Sequence, residues 1–177
     1  IYTTINSTLQ KYAEKSVENQ MKKLQLTFDE HWEGENPWID EKGFEIKNFI
    51  SNSIKRSNQY KFYAKKFNND SLKIYNELRK RKKMKVFSWN GEVDTIFSAL
   101  DSLKYYKRFL QTGFVSIEPK TGHIKAWVGG INHKYFKYDH VKQGKRQPGS
   151  TIKPIVYAAA IDNGYSPCYP VVDAPVV

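Results

Sequence analysis

The feature that most constrains this chain is a proline–glycine break, Pro148-Gly149, followed by a serine and a lysine. The run after it, 155–162, is apolar and alanine-rich, which predicts a helix with Ser150 at its N-terminus and Lys153 one turn further on. A serine hydroxyl becomes a nucleophile when a base takes its proton, and a desolvated lysine amine is such a base. Backbone N–H groups at a helix start favour negative charge that develops there. Ser150 and Lys153 are therefore candidate catalytic residues.

The same motif has a purely structural alternative. Two fixed positions in four residues occur by chance in many proteins. Ser150 would then be a helix N-cap, and Lys153 a solvated side chain of the first turn. Only the rest of the chain can decide between the two interpretations.

Composition bounds the size and class of the protein. The 177 residues suffice for one ordinary domain or two small ones, and 40% hydrophobic and 15% aromatic content supports a core. Cys168 is the one cysteine, so neither a disulfide framework nor a cysteine-based metal site is expected, and we predict no cofactor and no metal. We expect no membrane-spanning segment in these residues. Because the chain starts at Ile1 and ends without a closing element, we expect both ends to be cuts in a longer protein.

The first half of the chain reads as a scaffold. Residues 1–5 are β-branched and aromatic and predict a short strand. Apolar residues then recur every three or four positions, which predicts an amphipathic helix over 8–26, capped by Asn6 or Ser7. Residues 27–42 predict a connector, and 43–83 contain two or three helical patterns. His31, which lies among acidic residues there, is interpreted as a surface side chain and not as a metal ligand.

The second half predicts strands followed by the helix after Ser150. Residues 86–89 predict a strand, Asn90-Gly91 a turn, and 94–110 a helical stretch with a break near Asp101. Residues 112–118 and 123–128 predict a β-hairpin closed by a turn at 119–122.

The net charge of +11 and a sequence pI of about 9.5 raise the question of an anionic partner. Region 43–85 is lysine-rich, with a dense run at 79–83. One hypothesis is a basic binding or scaffolding module that contacts an anionic cell-envelope polymer, a lipid headgroup surface or a partner synthase. The alternative is a solvated helical face. No zinc-ligand spacing or RNA-binding signature accompanies the charge, so a nucleic-acid partner is not expected.

The order of motifs after residue 85 resembles the opening of the transpeptidase domain of class A (bifunctional) penicillin-binding proteins. The hairpin ends in Trp127-Val128-Gly129-Gly130, and the Ser150–Lys153 motif follows. Thr3-Thr4-Ile5-Asn6 resembles the segment that leaves the glycosyltransferase domain in that family, whereas 43–85 shows little similarity to it. These features fit the class A synthases better than β-lactamases or carboxypeptidases, which share the Ser-x-x-Lys motif.

The resemblance implies an α+β fold, in which a helical linker module is followed by a β-hairpin and the active-site helix of an incomplete transpeptidase-like domain. It implies a linker module over 1–85, after a glycosyltransferase domain, and the N-terminal part of the transpeptidase domain over 86–177. Ser150 matches the nucleophile that is acylated by the peptidoglycan stem peptide or by β-lactam antibiotics, and Lys153 matches its proton acceptor. The implied location is the bacterial cell envelope, on the periplasmic side of the inner membrane, in a membrane-anchored parent.

The family requires two further motifs after the nucleophile, Ser-x-Asn and Lys-Thr/Ser-Gly. Neither follows Ser150 here. Lys120-Thr121-Gly122 spells the third motif but precedes the serine, and we interpret it as a β-turn. We therefore expect this chain alone to be inactive. We also expect helices docked on the hairpin, or self-association, to cover its apolar face and open edges.

Overall fold

The computed structural model describes residues 2–170, so Ile1 and the last seven residues of the predicted 86–177 domain lie outside the description. Within that range the chain forms six α-helices and two antiparallel β-hairpins, which confirms the α+β class. The chain divides into two compact units, Ile1–Gln143 and Gly144–Val177. The predicted division at residue 85 stays a prediction.

Helix α1 (Ser7–His31) is the longest element among the described residues and confirms the predicted amphipathic helix. The Asn6 side chain accepts hydrogen bonds from the N–H groups of Thr8 and Leu9, each at 3.0 Å, and so satisfies two donors that the first turn leaves unpaired. The helix continues past residue 26 into the predicted connector and ends at His31, with Trp32 as its C-cap residue.

Three short helices follow, as the helical patterns over 43–83 predicted: α2 (Phe49–Lys55), α3 (Asn58–Lys66) and α4 (Ser71–Arg79). Side chains just before α3 and α4 cap their N-termini, because Ser57 accepts from the N–H of Tyr60 and Asp70 from that of Lys73. These helices and α5 (Ala99–Lys107) enclose an apolar core. Its buried members are Ile54, Ile74 and Leu78.

The predicted helical stretch over 94–110 is wrong in its first part. Strand β1 (Lys82–Ser88) pairs antiparallel with β2 (Gly91–Phe97) around the Asn90-Gly91 turn, which was predicted correctly. Helix α5 begins only after Ser98, whose hydroxyl accepts from the Asp101 N–H while the Asp101 carboxylate accepts from the Ser98 N–H. This reciprocal capping box fixes the start of α5 and ends the strand before it.

The predicted second hairpin is confirmed as β3 (Phe114–Ile117) paired with β4 (Ile124–Val128). Helix α1 packs on β4, where Ala13 of the helix meets Ala126 and Val128 of the strand in a small core. Docking of a helix on the hairpin was predicted and is confirmed. Self-association stays a prediction.

The N-terminal segment does not form the predicted strand. Residues 2–6 run beside β4 without a strand ladder, and two hydrogen bonds hold them there. The Thr4 hydroxyl donates to the carbonyl of Ile124 at 2.8 Å, and the Asn6 N–H donates to the carbonyl of Lys125 at 2.9 Å. The β-branched composition is thus compatible with an extended chain that covers part of the β4 edge.

Two glutamines of α1 form paired hydrogen bonds with backbone outside the helix. Gln10 accepts from the N–H of Trp127 at 2.8 Å and donates to its carbonyl at 2.9 Å. Gln25 accepts from the N–H of Leu110 at 2.9 Å and donates to the carbonyl of Arg108 at 3.1 Å. A carboxamide offers a donor and an acceptor side by side, as a neighbouring strand does. Helix α1 is thereby joined to β4 near one end and to the chain after α5 near the other.

Replacing Gln25 with leucine is expected to lower the free energy of unfolding by about 2–4 kcal/mol. Gln25 is 4% exposed, so the change leaves the Leu110 N–H and the Arg108 carbonyl without this side-chain partner away from water. Urea unfolding followed by circular dichroism measures the loss. Gln20→Leu is the matched control, because Gln20 is an exposed glutamine of the same helix. Equal stability of the two variants would show that the Gln25 bonds are unimportant.

Candidate functional site

Ser150 and Lys153 lie in the second unit, at the junction of two helical segments. Ser150 belongs to a 3-10 helix, Gly149–Ile152, and Lys153 is the first residue of helix α6 (Lys153–Asp162). The predicted helix is therefore present, but its α-helical part begins three residues after the serine. The Lys153 N–H donates to the Ser150 carbonyl, so the backbone keeps the two residues one tight turn apart.

The local sequence explains this junction. Gly149 has φ +54, a left-handed conformation that glycine adopts without steric cost. Pro154 lies in the first turn of α6, where its missing N–H removes no helical hydrogen bond. The Thr151 hydroxyl and N–H both donate to the Pro148 carbonyl and close the 3-10 turn. Gly164, with φ +89, follows the helix.

The two candidate side chains are solvent-exposed. Among the described residues, neither the Ser150 hydroxyl nor the Lys153 amine forms a side-chain hydrogen bond or an ion pair. Helix α6 is also exposed on several sides, with 65% of Ile155 and 61% of Tyr157 accessible. Since a lysine acts as a base when it is desolvated, the arrangement has the right residues and spacing but not the enclosed surroundings that this chemistry requires.

Lys120-Thr121-Gly122 forms the turn between β3 and β4, as predicted. Gly122 has φ +70, and its N–H donates to the Glu118 carbonyl at 2.9 Å. The Thr121 hydroxyl donates to the Glu118 carboxylate and lowers its pKa, with a further contribution from Lys125 at 3.4 Å. Because the turn closes the hairpin with its own side chains, it has a structural role.

The segment after β4 is fixed by an aspartate. Asp139 accepts from the indole N–H of Trp127 at 3.0 Å and from the backbone N–H groups of Val141 and Lys142. The Lys142 N–H is the main reason that its pKa is lowered. A Cβ at Gly129 would lie 2.8 Å from the Asp139 carboxylate, so this close approach requires glycine. Gly129 thus allows the loop to pack on β4.

A groove of about 870 Å³ lies between the first half of α1, the β1–β2 turn and the loop after β4. Two pairs of its charges are in contact: Lys15 with Glu18 at 3.6 Å along α1, and Lys134 of the loop after β4 with Glu92 of β2. The Lys134 ammonium lowers the pKa of Glu92, and Glu92 in turn raises the pKa of Lys134. This pairing leaves little net charge to select a ligand.

Two consecutive family models match the chain. The penicillin-binding protein middle domain matches residues 33–110, and the penicillin-binding protein transpeptidase domain matches residues 112–174. The chain therefore belongs to the penicillin-binding proteins, and Ser150 and Lys153 both lie within the transpeptidase match.

Curated relatives agree with the class A resemblance. The chain is similar to penicillin-binding protein 1A of Aquifex aeolicus, 31% identical over 178 residues that cover 93% of this chain and 23% of the relative. It is 45% identical over 67 residues to penicillin-binding protein 1A of Pseudomonas aeruginosa, covering 38% of this chain and 8% of the relative. It is 47% identical over 58 residues to penicillin-binding protein 2D of Bacillus subtilis, covering 33% and 8%. The chain thus spans less than a quarter of each of these relatives. No solved structure gave a significant match.

Proposed function

We propose that the protein to which this chain belongs cross-links peptidoglycan by serine acyl transfer, with Ser150 as nucleophile and Lys153 as its proton acceptor. The observation that carries this proposal is the Ser150–Lys153 turn at the start of α6, inside a segment matched by the transpeptidase model. It is the one Ser-x-x-Lys sequence in the 177 residues, so no second serine competes for the assignment.

The proposed reaction has two steps. The neutral Lys153 amine takes the Ser150 proton as the oxygen attacks the carbonyl of the penultimate D-alanine, and the peptide C–N bond breaks. The terminal D-alanine leaves as an amine that takes up the proton. An amine of a second stem peptide then attacks the acyl-serine ester, forms the cross-link and returns the proton to the serine oxygen. A β-lactam is attacked in the same way, but its ring nitrogen stays attached and the serine remains acylated.

The 177 residues supply part of this machinery. The Ser150 N–H provides half of an oxyanion hole, and the family takes the other half from the strand that carries the Lys-Thr/Ser-Gly motif. That motif and Ser-x-Asn do not follow Ser150 here. Loss of one oxyanion donor alone lowers the rate by roughly 10²–10³, and the exposed Lys153 also lacks the neighbours that would desolvate it.

The expected result with a fluorescent penicillin is that the isolated 177-residue chain shows no covalent label. A protein in which this chain is joined to both missing motifs is labelled under the same conditions. Denaturing gel electrophoresis with in-gel fluorescence reads both results, and heat-denatured protein sets the background. Efficient labelling of the isolated chain would contradict the inactive-segment part of the proposal, and no labelling of the longer protein would contradict the activity itself.

The remaining assignments follow the family. We propose a linker module over 1–85 leading into a transpeptidase domain over 86–177, in a bifunctional synthase with a separate glycosyltransferase domain. Its partners are the stem peptide and β-lactams, and its location is the periplasmic side of the inner membrane, where the substrate is accessible. Within residues 2–170, no helix has the length and apolar character needed to cross a bilayer.

A further inference from the structure

The dense basic run at 79–83 does not form one surface. Helix α4 ends at Arg79, Lys80 is extended with ψ 122, and β1 begins at Lys82. Successive side chains of an extended chain point to opposite sides. Arg79, at the end of the helix, and Arg81 line one groove, whereas Lys80 and Lys82 line another.

The arginine groove, as we name it, has a volume of about 620 Å³. Its walls come from the connector after α1, the first turn of α2 and the first half of α5. Trp38 and Phe49 stack at 5.5 Å between centroids and form an apolar wall. Lys104 of α5 lies on the same groove as the two arginines, so three cations converge there from two separate segments.

The two carboxylates of the arginine groove already have donors of their own. Glu45 accepts from the Trp38 indole N–H at 3.0 Å and from the Asn36 amide at 3.2 Å. Asp101 accepts from the N–H and hydroxyl of Ser98 at 3.1 and 2.8 Å, in the cap of α5. Both carboxylates keep their negative charge, so the three cations of the groove exceed its two acids by one charge.

The cations keep most of their donors free. Arg79 and Lys104 are exposed and form no ion pair with any described residue, and Arg81 approaches the Asp101 carboxylate only at 3.7 Å through its Nε. Lys107, one turn after Lys104, lies 5.5 Å from the ring centroid of Phe49 and extends the basic wall. A guanidinium offers a planar pair of donors that matches the oxygens of a phosphate group.

We propose that the arginine groove binds the phosphate groups of an anionic phosphodiester polymer of the cell envelope. The separated cations bind successive phosphates, and the Trp38–Phe49 wall packs against the carbon units between them. A concave groove admits a chain, whereas a bilayer surface cannot enter it. This site uses residues of the middle-domain match and is independent of Ser150, so it goes beyond the transpeptidase proposal.

The chain offers a matched test of this site. Arg79→Gln with Arg81→Gln removes two charges from the arginine groove, and Lys80→Gln with Lys82→Gln removes two charges from the other side of the same run. Binding of the 177-residue chain to synthetic poly(glycerol phosphate) is measured by isothermal titration calorimetry over a range of salt concentrations. Circular dichroism verifies that each variant is folded, and Lys104→Gln probes the same groove from α5.

The arginine double variant is expected to bind at least about tenfold more weakly, because each lost charge-assisted contact contributes substantially to affinity. For this variant, the slope of log Kd against log salt concentration should be smaller by roughly 1.5, because two phosphate contacts are lost. The lysine double variant should bind nearly as the unmodified chain does, and Lys104→Gln should weaken binding. Equal losses in the two double variants would overturn the proposal in favour of unspecific attraction. No binding to the polymer, or tighter binding to anionic lipid vesicles or to a single-stranded oligonucleotide, would overturn it as well.

Discussion

Replacing Ser150 with alanine is expected to abolish penicillin labelling of a protein in which this chain is joined to the Ser-x-Asn and Lys-Thr/Ser-Gly motifs. The acyl bond forms on the serine oxygen, and alanine has no side-chain oxygen with which to form it. Loss of a catalytic serine typically lowers turnover by at least about 10³-fold, and a covalent label should fall to background. Because Ser150 is exposed and forms no side-chain hydrogen bond among the described residues, folding should not change.

Ser166→Ala is the matched control for this experiment. Ser166 lies in the same unit, and among residues 2–170 its hydroxyl forms one hydrogen bond, which it accepts from the Cys168 N–H at 3.2 Å. Labelling of this variant should equal that of the unmodified protein. If Ser150→Ala retained the label, both the assignment of the nucleophile and the proposed acyl transfer at this turn would be wrong. Peptide mapping of the labelled protein would then identify the residue that carries it.

Replacing Leu78 with alanine is expected to lower the free energy of unfolding by about 2–5 kcal/mol. Leu78 is 0% exposed and packs with Ile74 and Ile54 where α2, α4 and α5 meet. The shorter side chain loses its transfer free energy and leaves a cavity that the surrounding helices fill only in part. Chemical denaturation followed by tryptophan fluorescence measures the change.

Leu72→Ala makes the same chemical change on the same helix at a site that is 79% exposed. Its effect should lie within about 0.5 kcal/mol of zero. Both positions belong to α4, so the two variants change helix propensity by the same amount. The difference between their free energies of unfolding therefore reports the contribution of burial at Leu78. Similar losses at the two positions would mean that the apolar core enclosed by α2 to α5 contributes little to stability.

The parts of the fold that follow from local pattern could be predicted from the sequence. The 3.6-residue periodicity and Asn6 predicted the position of α1, and the alternation on both sides of the turn at 119–122 predicted β3 and β4. Strand β2 was missed because Val93, Ile96, Leu100 and Leu103 are also spaced as on a helix face. The signal that separates the two structures was Ser98 followed three residues later by Asp101, which marks a helix start after the strand.

The non-local contacts could not be predicted in the same way. Gln25 lies on the buried side of α1 with Met21, and a polar residue there signals a buried hydrogen bond. Its partners, however, are backbone atoms 83 and 85 residues away. Every residue has such backbone atoms, so the amino-acid sequence does not indicate which of them Gln25 contacts. The candidate site was recognisable because Ser150 and Lys153 form a local motif. The arginine groove was not, since its separation from the Lys80 side depends on where α4 ends and β1 begins.

The paired hydrogen bonds of Gln10 and Gln25 fix both the distance along α1 and the rotation around it between β4 and the segment after α5. Gln25 lies fifteen positions after Gln10, which corresponds to about 22 Å along the axis and a rotation that leaves the two side chains about 60° apart around it. One inserted residue between them would turn one carboxamide by about 100° away from its partner. Insertions and deletions should therefore be tolerated in the loops of this protein but not between Gln10 and Gln25. There, the number of helical residues sets the distance between the hairpin and the helical core.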